Sequence, residues 1–286
     1  MFVVIGATGY VGAACAEALL KRGEVVTVVT RVARHAAALV AKGARVAEAD
    51  VEDVDALRAA FASGRRAFLL NPPGDVADDA DAVERRRVTA MLAALDCSGL
   101  EKVVAASVLG ARAGERIGDL GVLWELEEGL RRQPIPAAIN RGGYYMSNWT
   151  PPIDTTRRTG KLPSMLPADL DLAMVSPRDL GDAAAARLLS PLDDAGVRGV
   201  EGPARYSPAD VAAVLSRVLG RAVEVEATPR GEWIDAFARL GFSPAAAASY
   251  AGMTRAAVDE QEPVAENAII GPTTLGAYIT EAIDAH

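Results

Sequence analysis

Phe2-Val3-Val4-Ile5-Gly6-Ala7-Thr8-Gly9-Tyr10-Val11-Gly12 opens the chain as a strand pattern running into a glycine turn. The first four residues are apolar and partly β-branched, as a strand covered on both faces of a parallel sheet requires. From Val11 to Arg22 the apolar residues recur at helical spacing, so the glycines fall between strand and helix. A turn of this kind is suited to a dinucleotide pyrophosphate. Gly6 permits a bend too tight for a side chain, Gly9 lets backbone N–H groups approach phosphate, and Gly12 allows the helix to pack closely. The helix N-terminus adds free donors and a partial positive charge. Thr8, Tyr10 and Val11 belong to the same predicted contact surface. The spacing is G-x-x-G-x-x-G, a departure from G-x-G-x-x-G, so the strand before it and the helix after it carry the reading.

The next strand pattern, Val25–Thr30, selects the nucleotide. NAD-specific sites place a carboxylate about 20 residues past the glycines, on the ribose 2′-hydroxyl. This chain carries Thr30-Arg31 there, with Arg34 close behind and no acidic substitute nearby. A guanidinium pairs bidentately with a 2′-phosphate, so NADP(H) is favoured over NAD(H). An ordinary solvated loop cation is the alternative reading of Arg31.

Strand and helix patterns alternate through the first 140 residues. Strands are expected at Phe2–Ile5, Val25–Thr30, Ala44–Ala49, Ala67–Asn71, Val103–Ser107 and Pro136–Asn140. Helices are expected at Val11–Arg22, Arg34–Lys42, Val54–Ala62, Ala77–Leu95 and about Leu120–Arg132. This alternation predicts an α/β fold, a Rossmann-type doubly wound parallel sheet with right-handed crossovers. Ligands on such sheets bind beyond the carboxyl ends of the strands, so the loops after the strands become candidates. Asp50 and Val51 follow the third strand and suit the adenine amino group. Asn71, Pro72 and Pro73 follow the fourth and suit the ribose. Ser107 ends the fifth, and Arg141, Gly142, Gly143, Tyr144 and Tyr145 follow the sixth. Each alone is also ordinary loop chemistry; their convergence on one sheet edge is what singles them out.

Beyond Trp149 the pattern changes. Residues 150–167 are rich in Pro, Thr and Arg, Ser176–Leu189 resumes a helix behind Ser176 and Pro177, and shorter strands and helices follow. The expected organisation is a nucleotide-binding domain over 1–149, with 172–200 packing back onto it. A smaller α/β substrate lobe takes 150–171 and 201–286.

Composition narrows the function. A net charge of −8 argues against a nucleic-acid surface, and the run Arg85-Arg86-Arg87 sits among Asp78, Asp79, Asp81 and Glu84, as on a solvated helix face. Arginine outnumbers lysine 26 to 4. Cys15 and Cys97 fall in helix patterns without metal-ligand spacing and read as small buried apolar residues. His35 and His286 are the only histidines, so neither a histidine-centred metal site nor a triad is expected. No apolar run approaches the roughly 18 residues of a membrane span, and no leader pattern precedes the first strand; a cytoplasmic protein is expected.

These residues resemble the NmrA-like branch of the atypical short-chain dehydrogenase/reductases. The likeness rests on 6–12, Thr30-Arg31, Arg141-Gly142-Gly143-Tyr144-Tyr145-Met146-Ser147-Asn148, Val175–Gly181 and Gly202–Ser207. It implies that the glycine turn and basic residue bind NADP and that 141–148 border the nicotinamide. It also implies activities ranging from quinone and azo reduction to cofactor sensing without turnover. The chain departs from ketone-reducing relatives, because none of its six tyrosines precedes a lysine by four residues. Leu123 occupies a position where many members keep lysine, four residues before the glutamate that matches Glu127. Arg112, Arg116 or Arg141 is left to hold the ribose, but a guanidinium donates no proton near neutral pH. An NADPH-dependent oxidoreductase for a quinone-like or conjugated acceptor follows, with Ser107, Tyr144, Tyr145, Asn148 and Trp149 as substrate contacts. The aromatics are equally readable as core of the second lobe. A non-catalytic NADP(H) sensor and a tailoring reductase or isomerase of secondary metabolism remain open, as does a homodimer or a regulatory protein partner.

Overall fold

Val26-Thr27-Val28-Val29-Thr30 is buried at every position, as a strand covered on both faces must be. Strands of this type build the sheet in a computed structural model that describes residues 1–260 and 267–284. In chain order the elements are β1 (Phe2–Val4), α1 (Tyr10–Lys21), β2 (Val26–Thr30), α2 (Ala37–Val40), β3 (Arg45–Glu48), α3 (Val54–Ala62), β4 (Arg66–Leu69) and α4 (Ala80–Leu95). There follow β5 (Lys102–Val108), α5 (Asp119–Arg131), β6 (Ala137–Gly142), β7 (Tyr144–Tyr145), α6 (Ile153–Thr159), β8 (Lys161–Ser164), β9 (Leu172–Val175) and α7 (Pro177–Leu189). The last third holds β10 (Gly196–Glu201), β11 (Arg205–Tyr206), α8 (Pro208–Leu219), β12 (Glu224–Ala227), α9 (Trp233–Arg239), α10 (Pro244–Asp259), β13 (Ile269–Ile270) and α11 (Leu275–Asp284).

The main sheet has the order β13-β10-β6-β5-β4-β1-β2-β3, with every pairing parallel. Strand order reverses at β1, between β2 and β4, which is the switch point where such sheets bind ligands. One apolar core packs α1 and α7 on one face of the sheet, the other packs α3, α4 and α5 on the opposite face. Helices α1 and α7 meet closely: a Cβ at Gly181 would lie 2.5 Å from that of Ala14. A third core joins Met146, Trp149 and Ile153 to Leu215 and Ile279, and a fourth joins Trp233 and Phe237 to α10. Short sheets β11-β9-β7 and β12-β8 accompany these cores. The segment Ile269–Ile270, expected in the lobe, pairs with β10 at the edge of the main sheet.

Three local expectations need correcting. The helix expected over 34–42 breaks into a 3-10 turn at Ala33–Ala36 followed by α2, because Ala33 N–H donates to the Glu48 carboxylate across the strand ends at 2.8 Å. Helix α4 starts at Ala80, not Ala77, since Asp79 caps it by accepting from Ala82 N–H. Cys97 is exposed beyond the end of α4 with φ +57°, so only Cys15 is the buried residue expected; burial pushes its thiol up. His286 lies outside the described residues.

Candidate active site

The glycine turn is held by its own backbone. Gly6 has φ +73°, a conformation that L side chains rarely adopt, and its carbonyl accepts from Gly9 N–H at 3.0 Å. A Cβ at Gly12 would lie 2.3 Å from that same carbonyl. Gly12 is thus required by the turn itself, rather than by helix–sheet packing as expected. At Gly9 a Cβ would meet only the Gly6 carbonyl, at an ordinary 3.5 Å. The protein leaves that side open, as a cradle for phosphate must. Side-chain oxygens cap α3, α4, α7, α8 and α10, but α1 begins at Gly9 with none and has no acidic residue in its first turn. Its first N–H groups and the positive end of its dipole therefore remain available to an anion. Tyr10 is 73% exposed beside them.

At the end of β2, Thr30 is buried and its hydroxyl turns back to Val32. Arg31 and Arg34 are both exposed, and the side chain of neither has a hydrogen-bond or ion-pair partner among the described residues. Two free guanidiniums at this strand end fit a 2′-phosphate. One carboxylate stands nearby that sequence proximity did not reveal: Glu48 on β3, in register with Thr30, engaged by Ala33 N–H. Asp50 is exposed and accepts from Glu52 N–H, with Val51 buried behind it. Arg87 donates to the carbonyls of Pro72 and Pro73, so one member of the basic run fixes the loop after β4. Asn71 donates to the Glu84 carbonyl, and its own Oδ1 is buried without a hydrogen-bond partner among the described residues.

Beyond these strand ends opens a cleft of about 940 Å³. Asn71, Pro73, Ser107, Gly142, Gly143, Tyr144, Tyr145, Asn148 and Trp149 all line it, so the structure gathers most of the expected substrate-side residues in one place. The rings of Tyr144 and Trp149 pack 5.8 Å apart, tilted by 49°. Burial, opposed by a hydrogen bond with Asn148, pushes the Tyr144 hydroxyl up to about 12. Burial and the Asp119 charge raise Tyr145 further. Both phenols therefore stay protonated at neutral pH and can donate.

Arg141 is used differently. It sends Nε and Nη2 to the two oxygens of Glu127, each at 2.8 Å, and Nη2 also to the Ala111 carbonyl. The Glu127 carboxylate is 1% exposed and also accepts from Ser107 Oγ at 2.6 Å. This buried network braces the ends of β5 and β6 against α5. Arg112 pairs with Glu260 and Arg116 with Asp79, so each guanidinium considered for the ribose has a protein partner.

The far wall went unrecognised in the sequence. Phe237, Phe242 and Tyr250 form an aromatic cluster with centroids 4.9–5.7 Å apart, Tyr250 edge-on to both phenylalanines, and all three line the cleft beside Leu123, Leu240 and Met253. Asp119 lines it too, next to Glu84 of α4. Burial first, then the Asp119 charge, pushes the Glu84 carboxyl up to about 7; burial likewise raises Asp119. No group of three or more His, Cys, Asp or Glu residues among the described residues could hold a metal. No described helix is long and apolar enough to cross a membrane.

With this geometry in place, comparison with known proteins defines the class. The NmrA-like family model matches residues 1–279, and the chain belongs to that family. Among particular relatives, it is 30% identical to a (4-alkanoyl-5-oxo-2,5-dihydrofuran-3-yl)methyl phosphate reductase of Streptomyces griseus, over 79% of this chain and 76% of that protein. It is 25% identical to an NAD(P)H azoreductase of Xenophilus azovorans, over 78% and 75%. Two solved structures share the fold: an NADPH-dependent quinone oxidoreductase of Escherichia coli complexed with NADPH (TM-score 0.81, 21% identity, 99% of this chain and 100% of that one). The other is the Citrobacter sp. triphenylmethane reductase complexed with NADP(H) (TM-score 0.80, 18% identity, 98% and 99%).

Proposed function

We propose that this protein is an NADPH-dependent reductase of a small quinone-like or otherwise conjugated acceptor. The observation that carries the reading is the continuity of two surfaces. An uncapped glycine cradle with two free guanidiniums occupies the switch point of the sheet, and a largely apolar, aromatic cleft opens beside it at the ends of β4, β5 and β6. The similar proteins named above are all reductases, and the two solved structures are complexed with NADPH or NADP(H), which supports the reading.

In this reading the first turn of α1 holds the pyrophosphate, and Arg31 with Arg34 clasps the 2′-phosphate. Asp50 and Val51 border the adenine, and Asn71 and the proline pair border the ribose. Bound NADPH supplies a hydride. The Tyr144–Trp149 wall and the Phe237–Phe242–Tyr250 cluster hold a flat acceptor between them and exclude water, so catalysis comes largely from proximity and orientation. Tyr144 donates a hydrogen bond to an acceptor oxygen. A quinone suits a site without a tyrosine–lysine pair, since the hydroquinone anion is stabilised and water protonates it afterwards. Steady-state NADPH oxidation across a panel of small quinones tests the proposal. Turnover with at least one member is expected; cofactor binding with inactivity throughout would contradict it and favour a sensing role.

A further inference from the structure

The two faces of β5 meet different cores. Val104 packs with α1 and α7, whereas Val103 and Ala105 pack with α3, α4 and α5. By the alternation of strand side chains, Ser107 belongs with the second set, on the face opposite α1. Its hydroxyl bears this out, since Oγ lies 2.6 Å from Oε1 of Glu127 on α5. Ser107 is 2% exposed, and it lines the cleft together with Leu120 and Leu123 of α5.

The direction of that hydrogen bond is fixed. Glu127 Oε1 also accepts from Arg141 Nε at 2.8 Å, and Oε2 accepts from Arg141 Nη2 at 2.8 Å and Arg131 Nη2 at 3.0 Å. Guanidiniums do not deprotonate in proteins, so two of them hold the carboxylate ionised, and an ionised carboxylate only accepts. The hydroxyl proton of Ser107 therefore points at Oε1, and 2.6 Å is the length of such a charge-assisted bond. A hydroxyl has one proton and two lone pairs. What Ser107 keeps for the cleft is lone pairs alone, and no group among the described residues donates to them. A carbonyl oxygen placed there would set lone pair against lone pair, whereas a hydroxyl would donate. Tyr144 and Tyr145, following β6 in the same cleft, are donors of the opposite polarity.

We propose that Ser107 is a specificity-determining residue that accepts a hydrogen bond from the substrate, and that the compound reduced here is quinone-like and bears a hydroxyl group. The inference rests on the reductase reading above and narrows its substrate class. Glu127 is the positioning residue. It takes the serine proton, and Arg141 and Arg131 act through it to set the polarity of the cleft wall. The protonated phenols of Tyr144 and Tyr145 meet the carbonyl oxygens of the same compound, so donor and acceptor positions in the cleft match carbonyl and hydroxyl on the ligand. A compound that offers only a carbonyl or an ether to Ser107 leaves its buried lone pairs unsatisfied, and the site discriminates against it.

The test uses matched 1,4-naphthoquinones that carry a hydroxymethyl or a methoxymethyl group, on the quinone ring in one pair and on the benzo ring in the other. Wild type is expected to favour the hydroxymethyl member of at least one pair about tenfold in kcat/KM, the worth of one buried hydrogen bond. Ser107→Ala should bring that ratio close to one. In Glu127→Gln the amide nitrogen settles at the Oε1 place, where it meets one guanidinium donor and not the two at Oε2. Ser107 then accepts from the amide and turns its proton to the cleft, so the preference should fall or reverse, which a merely structural role would not produce. Should Glu127→Gln not fold, Ser107→Ala decides alone, because Glu127 keeps its guanidinium donors there. A preference that survives Ser107→Ala would overturn the proposal. Calorimetric titration of Ser107→Ala with NADPH guards against a coenzyme role: weakened binding, with equal losses for both members of each pair, also overturns it. A wild type that reduces both members equally overturns hydroxyl recognition and leaves the reductase standing. One that binds NADPH but reduces none of the four compounds removes the reductase itself and the substrate class with it.

Discussion

Glu84 shows how one buried side chain couples stability to pH. Its folded-state carboxyl titrates near 7, far above an unperturbed glutamate, because burial and the Asp119 charge disfavour ionisation. The folded protein therefore keeps a proton that the unfolded chain releases at lower pH. The stabilisation is full below the unfolded value and is lost as pH rises through the folded one. Thermal melts from about pH 4.5 to 7 should show stability falling with pH across this window in wild type, and a shallower fall in Glu84→Gln. Identical slopes would mean that Glu84 is ionised in the folded state. Asp79, Asp194 and Asp210 carry lowered values and act in a separate, more acidic window. The pairing of Glu84 with Asp119 was not legible in the sequence. One sits in a charged helix that reads as solvated and the other at a helix start where any acid is ordinary; only tertiary packing brings them together. Arg141 erred in the other direction. Its position after β6 marks the cleft edge, but its guanidinium turns to Glu127, and no spacing rule predicts which way a long side chain turns.

At the scale of elements, the strand–turn–helix unit of β1 and α1 was nearly complete in the sequence, since local geometry decides it. The glycines separate into two roles, which gives a paired prediction. Gly9→Val should fold with a melting temperature close to wild type, because the φ of −100° at Gly9 suits any residue and the space beside it is open. It should nonetheless lose NADPH binding, since the side chain occupies the phosphate position. Gly12→Ala should lower the melting temperature, because its Cβ strikes the fixed Gly6 carbonyl and no rotamer relieves that contact. Calorimetric melts and cofactor titrations of both variants check this, and matched behaviour would refute the division of roles. Elements fixed by distant partners were harder to read. Strand β10 extends from Gly196 because β6 and β13 flank it, and the turn at Ala33–Ala36 answers to Glu48, 15 residues away.

Across the whole molecule, the parallel sheet places every candidate loop on one edge, and the carboxy-terminal helices supply the opposite wall. The first half was foreseeable, because alternating strands and helices leave one plausible topology. The second was not: the aromatic cluster of Phe237, Phe242 and Tyr250 has no spacing motif, and its approach to Asp119 depends on α10 packing over residues 112–118. The account as a whole rests on a cradle for two linked phosphates beside free guanidiniums for a third. Calorimetric titration of wild type and Arg31→Glu with NADPH and NADH measures this directly. Wild type should take up NADPH at one site, at least about tenfold more tightly than NADH, the worth of one charge-assisted pair, and Arg31→Glu should abolish that preference. Absence of coenzyme uptake, or equal affinity of wild type for the two coenzymes, would contradict the account.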